Sequence, residues 1–168
     1  MSFVKVGVLV QLLLAIAQFV VALVMWLSVR EIRRDRKYGF LEKRLKEFYI
    51  PLIILFSRGW ITRGPSRLDK VERIIESKRY LCGKRVAEIL PDRFPAMVRV
   101  IKEPDWYDYY FYFGSEHEKK RWESIADIIW SEYIEVLKEY YDIIGVKQYV
   151  LPEKPTKWMF NVIKSEKP

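Results

Sequence analysis

Apolar and polar positions follow three different patterns along the chain. Residues 6–29 contain no charged side chain across 24 positions. Residues 40–57 and 115–145 place apolar residues three and four positions apart, which is the spacing of an amphipathic helix. The run DWYDYYFYFG, residues 105–114, instead concentrates seven aromatic rings in eight positions. The helical spacings predict an all-α fold with one long helix in its C-terminal half.

The uncharged run is long enough to cross a membrane as a helix, because about 20 apolar residues span the hydrocarbon core. A cleaved signal peptide is the alternative, but its apolar region is usually about 7–15 residues and ends at a small-residue cleavage site. The sequence MWLSVRE offers no such site. The run therefore predicts an N-terminal transmembrane helix that carries a small cytoplasmic helical bundle.

A basic cluster follows this run at once and sets the expected orientation. By the positive-inside rule, the C-terminal part lies in the cytoplasm and the N-terminus lies outside the cell membrane. The cluster is also expected to contact lipid headgroups, and it consists of Arg30, Arg33, Arg34, Arg36 and Lys37. The predicted organisation is an extracytoplasmic N-terminus at 1–5, a transmembrane helix at 6–29, a basic juxtamembrane segment at 30–39, a cytoplasmic helical domain at 40–164 and a frayed tail at 165–168.

One face of the predicted span combines small residues with two amides. Small residues let helix backbones approach closely, and amides in lipid seek hydrogen-bond partners. This face predicts a self-association seam, although two amides can also be tolerated singly. The seam consists of Gly7, Gln11, Ala15, Gln18 and Ala22.

The cytoplasmic part shows several start and stop signals for helices. Pro51 lacks a backbone N–H, which predicts a kink or break near Tyr49. Ser115 and Glu118 form a capping-box pattern, and Gly145 provides a stop for the long helix. Residues 94–102 fit either a helix or a short strand, whereas the apolar residues of the tail predict that it docks through a short element.

The aromatic run is expected to form a short helix that opens after Pro104. Its inner rings fall at i, i+3, i+4 and i+7 and would then join the core. They are Trp106, Tyr109, Tyr110 and Phe113. Neighbouring acidic residues argue against a platform for stacking nucleic-acid bases, which needs basic residues between its rings. The outer rings, Tyr107, Phe111 and Tyr112, are predicted to form a partner surface.

Charge is distributed unevenly between the two halves of the cytoplasmic part. Residues 30–102 hold 20 basic and 9 acidic side chains, whereas residues 103–144 hold 4 basic and 11 acidic ones. The basic half therefore offers a possible phosphate-binding face, for nucleic acid or lipid. The alternative, which we favour, is that these cations pair with the acidic long helix. The face consists of Arg73, Lys78, Arg79, Lys84 and Arg85.

Residue types that carry chemistry are scarce. His117 and Cys82 are the only histidine and the only cysteine, so neither a zinc site nor a Cys–His nucleophile is predicted. The basic neighbours of Cys82 could lower the pKa of its thiol, but a small buried residue before a turn is the simpler interpretation. Asp105 and Asp108 are more typical of a cap or a solvated turn than of a cation site. We expect no catalytic residue, metal or cofactor, and hence no enzyme.

Asn and Gln are rare in this chain, and Lys, Arg and Glu carry nearly all of its polarity. This composition is typical of heat-adapted proteins. The segments LEKRLKEFYIPLIILF and VERIIESKRYLCGKRVAEIL resemble a pattern in small uncharacterised prokaryotic membrane proteins. Those proteins pair an N-terminal span with a helical cytoplasmic domain. The resemblance covers residues 5–90, excludes the aromatic run and the tail, and implies no activity, cofactor or site residue.

These patterns together favour a membrane-anchored scaffold or adaptor without enzymatic activity. It would form homo-oligomers or bind another protein at the membrane. The alternatives are a membrane-tethered nucleic-acid-binding protein that uses the basic face, and a small enzyme of an unrecognised type.

Overall fold

The computed structural model describes residues 3–58, 67–90, 99–102 and 109–162. The chain divides into two units, Met1–Gly39 and Phe40–Pro168. The described residues are mainly helical, as predicted, but they also form three β-strands, so the all-α prediction is wrong in that respect. The helices are α1 (Phe3–Arg44), α2 (Ile50–Arg58), α3 (Arg67–Lys78), α4 (Lys84–Ile89) and α5 (Glu116–Ile144), and the strands are β1 (Arg99–Lys102), β2 (Tyr109–Phe113) and β3 (Phe160–Val162).

The first unit consists of the greater part of α1, which includes the uncharged run. Every residue from 10 to 37 is exposed. The large apolar side chains are among them, for example Phe19 at 69% and Met25 at 65% exposure. By length and composition, this is the one helix of the described chain that is long and apolar enough to cross a membrane.

A π-helical turn, Leu45–Tyr49, joins α1 to α2 without a break in the helical backbone. The predicted irregularity near Tyr49 is therefore present, as a widened turn and not as a helix end. Pro51 lies two residues after this turn, and a proline ring normally clashes with the carbonyl four residues before it. A π-turn at that point relieves such a clash. Leu45, Phe48 and Tyr49 all point into the core.

Helix α3 continues through a 3₁₀ turn, Arg79–Leu81, and Cys82 and Gly83 then lead into α4. Residues 84–89 of the sequence KRVAEIL form this short helix. Val71, Ile75 and Leu81 supply the buried positions of this region.

The three strands form one sheet in the order β1-β2-β3. β1 pairs with β2 in antiparallel fashion, and β2 pairs with β3 in parallel. The helix predicted for the aromatic run is therefore wrong over Tyr109–Phe113, and residues 103–108 lie outside the described residues. Aromatic residues have a strong preference for strands, and two neighbouring strands satisfy the backbone of β2 on both sides. The ambiguous segment 94–102 ends in a strand.

The long helix α5 has the predicted bounds. The Ser115 hydroxyl accepts a hydrogen bond from the backbone N–H of Glu118 at 3.2 Å, which caps its first turn. Gly145 follows the helix with φ of 76°, the left-handed conformation in which glycine is favoured. The buried residues of α5 follow a single stripe, as expected: Trp122, Ile125, Ala126, Ile129, Glu132, Val136 and Leu137.

A cluster of four aromatic rings joins the sheet to the helices. Phe113 of β2 stacks on Trp122 of α5 at 6.1 Å between ring centroids, and it meets Phe160 of β3 edge-on at 5.5 Å. Phe56 of α2 completes the cluster, 5.4 Å from Phe160 and 6.2 Å from Trp122. The predicted docking of the tail is confirmed, because Phe160 is 1% exposed. The predicted frayed tail at 165–168 lies outside the described residues.

Candidate functional site

Glu132, in the middle of α5, is the only buried charged residue in the described chain, at 5% exposure. Its carboxylate accepts three hydrogen bonds and forms one ion-pair contact, all with residues outside α5. The Tyr49 hydroxyl donates to Oε2 at 2.8 Å, and the backbone N–H of Gly83 donates to the same oxygen at 3.0 Å. The N–H of Val86 donates to Oε1 at 3.2 Å, and the Arg85 guanidinium lies 3.9 Å away. Such bonds offset the cost of burying a charge.

Tyr49 connects this carboxylate to the end of α1. Its hydroxyl accepts from Arg44 at 3.0 Å and from the Gly83 N–H at 2.9 Å, while it donates to Glu132. Arg44 also donates to the carbonyl of Leu81 at 2.7 Å. Burial, followed by the hydrogen bond to Glu132, holds the pKa of Tyr49 well above its usual range. The hydroxyl therefore stays protonated and keeps donating to Glu132.

Gly83 allows this approach for a steric reason. Its φ of −79° is available to any residue. A Cβ at this position, however, would lie 2.5 Å from Oε1 of Glu132. The Glu132 carboxylate therefore reaches the N-terminus of α4 only because the N-cap residue, Gly83, has no side chain. The carboxylate caps this N-terminus in place of an N-cap side chain. The arrangement joins α1, α4 and α5 in one polar centre.

Cys82 lies half-buried beside this centre and is not activated by its basic neighbours. Burial and then the charge of Glu132 raise the pKa of its thiol, and Arg79 and Arg44 counteract them only in part. The thiol donates to the carbonyl of Arg79 at 2.8 Å. The simpler interpretation, a small residue packed before a turn, matches this environment.

Two residues of the predicted phosphate-binding face contact groups of their own domain. Lys78 Nζ lies 2.7 Å from the Glu47 carboxylate. Arg79 donates to the carbonyl of Ala87 at 2.9 Å and more weakly to that of Leu90 at 3.5 Å, which satisfies the C-terminal end of α4.

The other three residues of this face differ in their surroundings. Arg85 forms an ion pair with Glu135 of α5 at 2.6 Å, which is the pairing with the long helix favoured from the sequence. Lys84 approaches Glu88 only to 3.8 Å, and both side chains are largely exposed. Arg73 is exposed on α3. Phosphate binding by this face stays a prediction. Lys78, Arg79 and Arg85 already contact carboxylates or carbonyls of the same chain.

A groove of about 500 Å³ runs between α2, α5 and the extended segment 152–157. Ile50 and Ile54 of α2 line it and are 36% and 40% exposed. Trp130 and Tyr133 of α5 form its aromatic wall, with ring centroids 5.4 Å apart. The sequence does not predict this groove, because its walls come from three separate segments.

The residues predicted on α1 are all exposed along that helix. The seam residues follow one another at the surface, and Gln18 and Ala22 line a shallow apolar notch together with Leu14 and Val21. In the basic cluster, the Arg30 guanidinium lies over the Trp26 ring at 5.8 Å from its centroid. Arg33, Arg34, Arg36 and Lys37 are exposed as well.

The predicted partner surface is only partly described. Tyr107 lies outside the described residues. Phe111 pairs in register with Val100 and Phe160, and Tyr112 pairs with Arg99 and Asn161. Because these two residues belong to a strand, their assignment to the outer side of a helix is wrong. Their side chains lie outside the described part of the structure.

Candidate metal and acid–base residues are placed as follows. Among the described residues, no group of three or more His, Cys, Asp or Glu side chains could hold a metal ion. His117 is exposed in the first turn of α5, and Asp105 and Asp108 lie outside the described residues. As an acidic residue of the long helix, Glu132 is expected from the sequence to pair with basic residues at the surface. Its position at i+7 from Ile125 and i+3 from Ile129, within the apolar stripe, is the signal that could have identified it as buried.

The fold and the site define a mainly helical domain with a three-stranded sheet, which follows an exposed apolar helix. A family model described as "Uncharacterized protein" matches residues 38–162. The chain belongs to this family of uncharacterised proteins. The match includes the aromatic run and the tail, so the resemblance noted over residues 5–90 left out much of the shared region.

Two similar proteins come from the archaeon Archaeoglobus fulgidus. An "Uncharacterized protein" is 34% identical over 144 residues, which are 85% of this chain and 70% of the relative. A solved structure, described as the "C_terminal domain of protein of unknown function from Archaeoglobus fulgidus", has 35% identity and a TM-score of 0.62. The alignment covers 74% of this chain and 98% of that one. The helical domain thus has a solved counterpart.

Proposed function

We propose that this protein is a single-pass membrane protein whose C-terminal domain acts as a scaffold or adaptor, and not as an enzyme. The observation that carries the proposal is the exposed apolar surface of α1. None of its most apolar 18-residue window is buried within the protein. Exposed apolar surfaces of this extent are stable in contact with lipid or with another protein, but not with water.

The charge that follows the apolar surface supports the proposed orientation. Arg30 to Lys37 contribute five basic and two acidic residues directly after the uncharged run. Under the proposal they contact anionic headgroups, each with about 1 kcal/mol, and keep the domain in the cytoplasm. The N-terminus then lies outside, and the seam of Gln11 and Gln18 lies in the hydrocarbon region, where it promotes self-association.

The groove supports the adaptor role of the domain. It combines exposed isoleucines with a Trp and a Tyr side chain. Tryptophan and tyrosine are enriched among the residues that dominate protein–protein binding. The hydrogen bonds of Glu132 support the same role, because they fix α5, which also carries Trp130 and Tyr133 of the groove.

Alkaline carbonate extraction tests the membrane part of the proposal. The full chain should stay in the membrane pellet, and a variant with Leu14→Lys and Val21→Lys should move to the supernatant. Each lysine at the centre of a span costs about 2.5–3.5 kcal/mol. The matched control carries Ser131→Lys and Thr156→Lys at exposed positions of the domain and should stay in the pellet. Extraction of the unmodified chain would refute the proposed anchor.

Labelling with a membrane-impermeant maleimide tests the orientation. In a Cys82→Ser background, a cysteine at Lys84, an exposed position outside the groove lining, should react only after the membrane is permeabilised, because this position is cytoplasmic under the proposal. A cysteine at Ser2 should react in intact cells. The opposite pattern would reverse the orientation.

A pull-down from solubilised membranes tests the adaptor role. Ile54→Asp places a charge in the groove and should remove bound partner proteins, whereas Tyr80→Ser, at a 60% exposed position outside the groove lining, should retain them. Equal recovery of the partners with both variants would argue against the groove as the docking surface.

A further inference from the structure

An exposed apolar side chain lies two residues before the groove lining in sequence. Val150 is 93% exposed, the highest value among the exposed large hydrophobic residues of the described chain. One residue, Leu151, separates it from Pro152, which lines the groove. Tyr149 stacks on Tyr141 of α5 with 4.5 Å between ring centroids. This stack fixes the segment before Val150, so the valine is held outward by a packed neighbour.

Charges of both signs accompany the projecting valine and the groove. Asp142 and Lys147 line the depression beside Val150, and Glu153 and Lys157 line the groove. All four are exposed, and within the described part of the chain none of the four side chains forms a hydrogen bond or an ion pair. Within the described residues, each surface therefore offers one acid and one base to a surface of the same kind.

We propose that the groove binds a second copy of this chain. Val150 of one protomer inserts between Ile50, Ile54 and the Trp130–Tyr133 wall of its partner, and the partner's valine does the same in return. A two-fold axis requires that a projection and its matching recess lie on one surface. The proposal places them so because only Leu151 separates the exposed Val150 from Pro152 of the groove lining. Across the axis, Lys147 faces Glu153 and Asp142 faces Lys157.

This inference rests on the proposed scaffold function and deepens it by naming the partner. Each valine is small, so the interface is modest by itself. Anchoring both protomers in one membrane raises their effective concentration, as a tether does for linked binding modules. The contact is therefore expected to be stronger for membrane-bound chains than for dissolved ones.

Disulfide trapping in membranes tests the contact with the full chain. Two populations are co-expressed in a Cys82→Ser background, one with only Val150→Cys and one with only Ile54→Cys, each with its own tag. Mild oxidation should yield a reducible species of twice the mass that carries both tags. Chains with Lys84→Cys in place of Ile54→Cys are the control, since Lys84 is exposed and does not line the groove. Equal yield in both pairs, or none in either, would overturn the inference.

Charge exchange provides a second, independent test. Lys147→Glu and Glu153→Lys should each weaken the dimer about two- to fivefold in detergent, as expected for exposed ion pairs. The two substitutions in one chain should restore it, because the pair is then reversed. Val150→Asp should weaken it tenfold or more. An unchanged dimer in Val150→Asp would overturn the inference.

The two proposals fail in different ways. Release of the unmodified chain by carbonate would refute the anchor, whereas a disulfide trapped between concentrated dissolved chains would still support the dimer. Absence of the trapped disulfide, with the chain still in the pellet, would refute only the dimer.

Discussion

The hydroxyl of Tyr49 donates a 2.8 Å hydrogen bond to the buried carboxylate of Glu132, 83 residues further along the chain. The bond links the π-turn after α1 to the middle of α5. Because Gly83 and Val86 donate to the same carboxylate, α4 is positioned by this link as well. The orientation of the shortest helix therefore depends on two residues that lie far from it in sequence.

Removal of the Tyr49 hydroxyl should lower the stability of the folded domain. Tyr49→Phe leaves Arg44 without one acceptor and Glu132 without a donor, and we expect a loss of about 2–3 kcal/mol in the free energy of unfolding. Urea denaturation of the fragment 38–168 measures it, since the similar solved structure is a C-terminal domain. Tyr133→Phe is the matched control, because this tyrosine is only half-buried, and it should change the free energy by less than about 0.5 kcal/mol. Equal losses would show that the hydroxyl bond contributes little.

Gly83→Ala should destabilise the fragment by displacing the carboxylate. The added Cβ would lie 2.5 Å from Oε1 of Glu132, so the side chain must move and give up bonds to α4. We expect a loss of about 1–3 kcal/mol in the free energy of unfolding. In a Glu132→Ala background, Gly83→Ala should lower the free energy of unfolding much less. A double-mutant cycle measures this difference. Additive losses would mean that backbone conformation, and not the carboxylate, requires glycine here.

The tail should contribute strongly to stability through one ring. Phe160 is 1% exposed and packs against Phe56 and Phe113. Phe160→Ala should cost about 3–5 kcal/mol in unfolding free energy, by chemical denaturation. Val150→Ala, at an exposed position of the same C-terminal segment, should cost less than about 0.5 kcal/mol at low protein concentration. A small loss for Phe160→Ala would indicate that the tail docks only weakly.

Asp127 should make stability sensitive to acid. Burial raises the pKa of its carboxyl, but hydrogen bonds from Lys154 and Trp158 outweigh burial and lower it. A lowered pKa in the folded state contributes stability above the unfolded pKa, near 4, and this contribution is lost as the pH falls through the folded value.

Asp127→Asn tests this dependence. The variant should be less stable than the original chain at pH 7 by less than about 1 kcal/mol, because the carboxylate is half-exposed. The difference should shrink toward about pH 3, as followed by thermal unfolding across this range. Ser131→Ala, at an exposed position of the same helix that carries no titratable group, should show no such convergence. A constant difference for Asp127→Asn would exclude the predicted linkage.

The sequence is sufficient to predict those helix ends that are set by neighbouring residues. The capping residues of α5 and its glycine stop act within one helical turn, so the sequence predicts its bounds correctly. The irregular turn before Pro51 is also a local effect, because the proline ring disturbs the preceding helical turn and proline has no backbone N–H to donate. The exposed apolar face of α1 was likewise visible in composition alone.

The strand β2 and the buried Glu132 could not be assigned in this way. Tyr109–Phe113 satisfies a helical spacing as well as a strand, and the choice is made by hydrogen bonds to β1 and β3, which are remote in sequence. Glu132 has the charge of a surface residue, and only the convergence of Tyr49, Gly83 and Val86 makes its burial favourable. The sequence by itself determined the bounds of α5 and the apolar character of α1, because their signals are local. The tertiary structure alone decided the sheet, the polar centre and the groove, because each depends on segments that meet only after folding.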